Sequence, residues 1–188
     1  LVPRDTFQLA LNTPLTAIDN EYITVLDKDS IMVPIVTKVD TNYNRAHIWF
    51  EKSLEQRYNI TLTPGALIDF FEATNDTLRY LVSTKAEDDY GYITFGVENG
   101  KEFPIIVELI DERFQVLQRE IISENRKVNF NFLNPGDYYI RLVFDENNNQ
   151  IWDTGNFLER KQPERVLYYP EPIEVRANWY PIVTFPLN

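Results

Sequence analysis

The sequence predicts an all-β chain made of two tandem β-sandwich domains, and three observations lead there. Apolar and polar residues alternate with period two in one segment after another. Asn, Asp, Gly and Pro interrupt those segments about every 8–12 residues, the rhythm of sandwiches and barrels. A polar stretch near the middle, Ser83 to Gly91 (STKAEDDYG), then separates two halves that each carry alternating runs. Composition agrees. Twelve Phe and eleven Tyr against six Gly favour the pleated, half-buried surface of a strand.

In chain order, TFQLAL sets Phe7, Leu9 and Leu11 on one face, and RAHIWFE does the same for Ala46, Ile48 and Phe50. YNITLT groups Tyr58, Ile60 and Leu62. In the second half, YITFGVE aligns Ile93, Phe95 and Val97, and KVNFNFL aligns Val128, Phe130 and Phe132. YYIRLVF places Tyr138, Ile140, Leu142 and Phe144 together. One stretch competes with this pattern. In GALIDFFEATND, Leu67, Phe70 and Phe71 are spaced for a single helical turn, so a short helix or turn is expected there at most.

The boundary is expected at residues 88/89, giving domains 1–88 and 89–188. The junction lacks a free run of Gly and Pro, so it reads as short and fairly stiff. The halves carry net charges of −5 and −6, so the acidity is spread and reads as a solvated surface. Leu1–Arg4 (LVPR) matches the left half of a thrombin linker without its Gly-Ser; these residues are read as tag-derived and support nothing.

Several function classes lose their support. A net charge of −11 opposes nucleic-acid binding, which needs clustered Lys and Arg. No apolar run approaches the ~18 residues of a membrane span, and no signal peptide is present. Any anchor or export signal is therefore expected N-terminal to residue 1. With no Cys, disulfides, Cys–zinc sites and thiol nucleophiles are excluded. His47 is the single histidine and lies inside an alternating strand, without a nucleophile motif. Asp111 and Glu112 are adjacent, and strand neighbours point to opposite faces, so they cannot share one scissile bond. The chain is expected not to be an enzyme.

The stretch richest in chemistry is DENNNQIWDTGN, residues 145 to 156. Against the calcium-loop pattern D-x-[DN]-x-[DN]-G-x5-E, Asp145, Asn147 and Asn149 fill positions 1, 3 and 5. Ile151 stands where a backbone carbonyl ligates and Asp153 where a carboxylate or its water does. Two departures oppose that reading: Gln150 replaces the Gly of the sharp turn, and Asn156 replaces the bidentate Glu. Weak, structural Ca²⁺ binding at about 10⁻⁴–10⁻³ M is one expectation. A wide hairpin whose Asx side chains cap their own backbone is the other. Trp152, Tyr168, Tyr169, Trp179 and Tyr180 are expected to pack, though exposed and coplanar rings would instead suit sugar stacking.

The two halves also resemble known families. DTFQLALNTPLTAID, ITVLDKDSIMVPI and YNITLTPGALIDFFEATNDT resemble a bacterial Ig-like domain of the S-layer-protein type. FLNPGDYYIRLVFDENNN resembles a transthyretin-like, carboxypeptidase-regulatory-like sandwich. Leu133, Pro135, Gly136 and Tyr138 match its turn-and-strand element, with the Tyr138 hydroxyl set to bond the preceding loop. With the closing ERKQPERVLYYPEPIEVRANW, the tandem is similar to the C-terminal part of Ig-like envelope lipoproteins of Gram-negative bacteria. The resemblance implies an extracytoplasmic location: periplasm, outer membrane or cell surface. It implies a non-catalytic structural or interaction module whose partners are other envelope or surface proteins. The alternative is a carbohydrate-binding module accessory to glycan uptake or degradation. Calcium loops at this place in related surface repeats favour the metal reading of Asp145–Asp153.

Overall fold

The computed structural model describes residues 1–187. The chain is all-β, 49% strand and 3% helix, and divides into two compact units, Leu1–Glu87 and Asp88–Asn188.

The first unit contains β1 (Phe7–Ala10), β2 (Leu15–Ile18), β3 (Ile23–Leu26), β4 (Ile35–Asp40), β5 (Arg45–Phe50), β6 (Arg57–Leu62), β7 (Leu67–Asp69) and β8 (Leu78–Ser83). They form sheets ordered β1-β5-β4, β3-β6-β8 and β2-β7, with all pairs antiparallel. The alternation read from the sequence is what fills the core. Ala46, Ile48 and Phe50 on β5 and Tyr58, Ile60 and Leu62 on β6 are all buried in one cluster. Removing such apolar area from water stabilises by about 25 cal/mol per Å². The ring edge of Tyr58 meets Phe50 at 5.1 Å between centroids. Its hydroxyl accepts from the Ser53 amide at 2.7 Å, which satisfies the polar end of a buried ring.

GALIDFF does not become a helix. Leu67–Asp69 is β7, and the chain then reverses. The Asp69 carboxylate accepts from the amides of Phe71 (2.8 Å) and Ala73 (2.9 Å), and Glu72 sits in the left-handed region at φ 62°. A right-handed helix cannot continue through that residue. Phe70 and Phe71 are left exposed, packed edge to face on each other.

The second unit contains β9 (Gly91–Glu98), β10 (Ile105–Ile110), β11 (Val116–Ile122), β12 (Lys127–Leu133), β13 (Gly136–Phe144), β14 (Val166–Tyr168), β15 (Ile173–Val175) and β16 (Ile182–Pro186). One sheet runs β11-β10-β13-β14, with β15 also on β13; the other runs β12-β9-β16. The final strand β16 lies parallel to β9, whereas the other pairs are antiparallel. Ile93, Phe95 and Val97 face Tyr138, Ile140, Leu142 and Phe144 in one buried cluster.

Two details depart from simple alternation. Phe132 was expected on the core face beside Val128 and Phe130. Instead it adopts φ 56° at a register shift in the β12–β9 pairing, so Leu133 takes the inward place. An extra residue in a strand flips every later side chain to the other face. Phe132 then meets the rings of Tyr90 and Tyr92, both at 5.7 Å. Strand β10 is buried on both faces, Ile106, Glu108 and Ile110 included. On the face away from the core cluster, Glu108 pairs with Arg141 of β13, whose Nε donates at 2.6 Å. Burial opposes the Arg141 charge, but the hydrogen bond and charge of Glu108, followed by those of Tyr168, hold its pKa above the ordinary value.

Candidate functional site

Turns in this protein share one device. Asp27, Asp69 and Asp111 each accept from the amides two and four residues onward at 2.8–2.9 Å. The residue three places on lies in the left-handed region in each case: Ser30 (φ 60°), Glu72 (φ 62°) and Phe114 (φ 59°). The carboxylate takes the place of a backbone carbonyl and organises a tight loop. Three of the acidic residues that give the chain its charge are therefore turn-formers. Asp111 is one of them, which accounts for it without catalysis.

The loop from Asp145 to Asp153 elaborates this device. Asp145 closes β13 with only 1% of its surface exposed. One carboxylate oxygen accepts from the Asn149 amide at 3.0 Å and the other from the Gln150 amide at 2.8 Å. Asn148, three places on, again has φ 58°. Asn147 Oδ1 accepts from the Asn149 amide at 3.0 Å, and Asn149 Oδ1 from the Ile151 amide at 2.9 Å. The Nδ2 groups of Asn147 and Asn149 both donate to Asp153 Oδ2, the latter at 3.1 Å. The sequence-derived set Asp145, Asn147, Asn149 and Asp153 is thus one hydrogen-bonded cluster, while Ile151 enters through its amide and its side chain is exposed.

Gln150 stands where the calcium pattern requires Gly, and it adopts φ 66°, the conformation a Gly would supply. The turn therefore forms despite the substitution. A donor set for a cation is less complete. Among the described residues no three His, Asp or Glu side chains converge on one point, so a cation would rest on two carboxylates and carboxamide oxygens that already accept loop amides. Each such oxygen retains a second lone pair. That fits weak coordination.

Glu164 is the residue that sequence reasoning missed. It lies just before β14 with 5% exposure. One oxygen accepts from the Glu146 amide at 3.0 Å and the other from the Asp153 amide at 3.1 Å. Its backbone is also engaged: its amide donates to Asp153 O at 3.0 Å, and its carbonyl accepts Trp152 Nε1 at 3.2 Å. One buried carboxylate thus ties both arms of the loop to the sheet. Buried charges are tolerated when fully hydrogen-bonded. Nothing in the pattern of spacing marks Glu164, because its partners are amides 11 and 18 residues away.

The aromatic residues divide. Tyr169 packs on the core, edge-on to Phe95 and Phe185. The expectation of packing fails for Trp152, Tyr168, Trp179 and Tyr180, which are 42–59% exposed. Arg176 covers a face of Trp179 at 4.6 Å, and Tyr92 stacks on Tyr180 at 4.8 Å with ring planes 3° apart. His47 lies on β5 with Nε2 3.8 Å from Asp40. The Tyr138 hydroxyl donates to Asn134 O at 2.7 Å, as its place after the Pro135–Gly136 turn led us to expect.

No family model matches the chain, and no curated protein does. Among solved structures, the piece of native alpha-2-macroglobulin from Escherichia coli spanning domains MG0-NIE-MG1 superposes with a TM-score of 0.38 and 10% identity, over 87% of this chain and 69% of that one. The major pilin subunit of Bacillus cereus gives 0.36 and 13%, over 91% and 57%. The Bacillus anthracis TIE protein gives 0.33 and 12%, over 96% and 33%. The chain thus spans little more than half of the pilin and a third of the TIE protein. Likeness this loose bears on no argument about function. Among the described residues no helix is long and apolar enough to cross a membrane.

Proposed function

We propose that this chain is a non-catalytic structural and interaction module of a bacterial envelope or cell-surface protein. In this reading an Ig-like unit is followed by a transthyretin-like unit, with the boundary at residues 88/89. The observation that carries the structural role is the Asp145–Glu164 cluster. Its polar groups are turned on one another and on loop amides, an arrangement that fixes a long connection and leaves little to turn over a substrate. The sequence resemblance supports a Gram-negative, extracytoplasmic setting, with other surface proteins as partners.

Calcium, in this reading, is a weak structural ligand of Asp145, Asn147, Asn149, the Ile151 carbonyl and Asp153. The left-handed Gln150 supports it; against it, Asn147 and Asn149 turn their Nδ2 donors, not their oxygens, onto Asp153. The test is a thermal melt across a calcium titration. Melting temperature should rise at millimolar calcium and the rise should vanish in Asp145→Ala. A flat response in the wild-type chain would leave an Asx-capped hairpin alone.

Carbohydrate binding is a second reading, favoured by the exposure of Trp152, Trp179 and Tyr180. Against it, Tyr92 and Tyr180 lie one above the other, so they do not form a side-by-side platform. Glycan-array binding that disappears in Trp152→Ala would establish this reading over the first.

A further inference from the structure

The segment just past the Asp153 cluster carries two of the most exposed apolar side chains in the described chain, Phe157 at 95% and Leu158 at 91%. They sit at the tip of a small hairpin closed by a backbone pair between Asn156 and Lys161, with both hydrogen bonds at 2.9 Å. The arms are held close. Gly155 has φ 78°, and a Cβ there would lie 2.7 Å from both Lys161 O and Pro163 N. Asn156 Oδ1 accepts the amides of Leu158 (3.0 Å) and Glu159 (3.2 Å), and the Arg160 amide donates to Phe157 O at 3.2 Å.

We propose that this tip, Phe157–Leu158 with Arg160 and Lys161 behind it, is a lipid-docking element that inserts into the interfacial layer of a bilayer. Two features select lipid over a groove on another protein. A protein groove gains specificity from polar groups at its rim, and here five of the six amides from Asn156 to Lys161 already donate within the hairpin. In lipid that is an advantage, since an unsatisfied amide is costly where no water can reach it. The second feature is charge. The whole chain is −11, yet the tip is net positive, since Arg160 and Lys161 outweigh the single carboxylate, Glu159, that separates them from the apolar pair. Arg160 has no ion-pair partner among the described residues. Lys161 is 53% exposed and only loosely paired with Asp153 at 3.9 Å. Cations next to apolar side chains fit the depth of lipid phosphates, and the acidic remainder of the chain is repelled from the same surface. The molecule would therefore dock tip first, weakly and reversibly, since only two side chains insert.

The experiment is flotation of the full chain with vesicles of phosphatidylcholine, alone and mixed with phosphatidylglycerol. Wild type should float with millimolar lipid, and more so with the anionic mixture. The paired substitution Phe157→Ser and Leu158→Ser should reduce partitioning at least about tenfold. Arg160→Gln with Lys161→Gln should remove only the gain from phosphatidylglycerol. Both side chains lie outside the core, so the serine variant should melt like wild type. A Phe157→Trp chain reports the tip itself, by quenching with brominated phosphatidylcholine. Wild type that ignores both vesicles overturns the proposal and leaves a pocket on a protein as the tip's occupant. Undiminished flotation of the serine variant, or an unquenched Trp at position 157, overturns it equally.

Discussion

Replacing Glu164 by Gln changes one oxygen into an NH₂ group and leaves the side chain's shape alone. In the folded protein both oxygens accept backbone amides, from Glu146 at 3.0 Å and Asp153 at 3.1 Å. A carboxamide can accept only one of them, and its NH₂ must face the other amide, donor against donor. The loss is one charge-assisted hydrogen bond in a site 5% exposed, about 1.5–3 kcal/mol. The surviving bond weakens from charged to neutral, adding roughly 0.5 kcal/mol. A total of about 2–3.5 kcal/mol corresponds to roughly 8–28 °C in a unit of some 100 residues. The assay is calorimetry of the full chain in EDTA, which removes any contribution from calcium. Glu159→Gln is the control, since Glu159 is exposed, and it should shift by no more than about 0.5 kcal/mol. If Glu164→Gln melts with wild type, the carboxylate does not pin the loop, and the structural reading of the Asp145–Glu164 cluster fails.

Three more outcomes follow from the same geometry. Gln150→Gly should raise the stability slightly, by up to about 1 kcal/mol, read as a small rise in melting temperature, because φ 66° strains a side chain but not Gly; a drop would mean that Gln150 contributes contacts. Gly91→Ala should destabilise by at least about 2–3 kcal/mol, measured by urea unfolding, since its Cβ would fall 2.2 Å from Val175 Cγ1 and 2.6 Å from Arg176 O. Tyr138 is raised above its ordinary value of 10.0, first by burial and then by the Asp111 charge. The folded state thus keeps a proton that the unfolded chain loses, so this contribution is whole below pH 10 and fades as pH climbs through the folded value. Tyr138→Phe should flatten the alkaline limb of the stability curve and lower the neutral plateau by about 1 kcal/mol, through loss of the bond to Asn134.

Much of this protein is local enough to be read from the chain. Period-two alternation placed Ala46, Ile48 and Phe50, Tyr58, Ile60 and Leu62, and the inward row from Tyr138 to Phe144 in the core, because a strand has two faces and only one is buried. The run from Asp145 to Asp153 announced itself through its spacing, since an Asx turn joins residues only a few places apart. What escaped was non-local or depended on the sign of one torsion. Phe132 sits inside a flawless alternation, yet a left-handed φ turns it off the core face and brings Leu133 in. Of the short helix or turn expected at Phe70 and Phe71, the chain forms the turn, because Asp69 captures the Phe71 and Ala73 amides. Burial of both faces of β10 cannot be seen in IIVELI, where Glu108 looks like an ordinary solvent-facing residue until Arg141 is brought beside it. Glu164 is the sharpest case. Nothing distinguishes it from the other acidic residues in the sequence, because its role comes from two amides that only the folded chain delivers to its oxygens. Patterning decided which residues are buried, and tertiary structure decided which polar groups found partners, since a hydrogen bond needs two atoms to meet and burial needs only one to leave water.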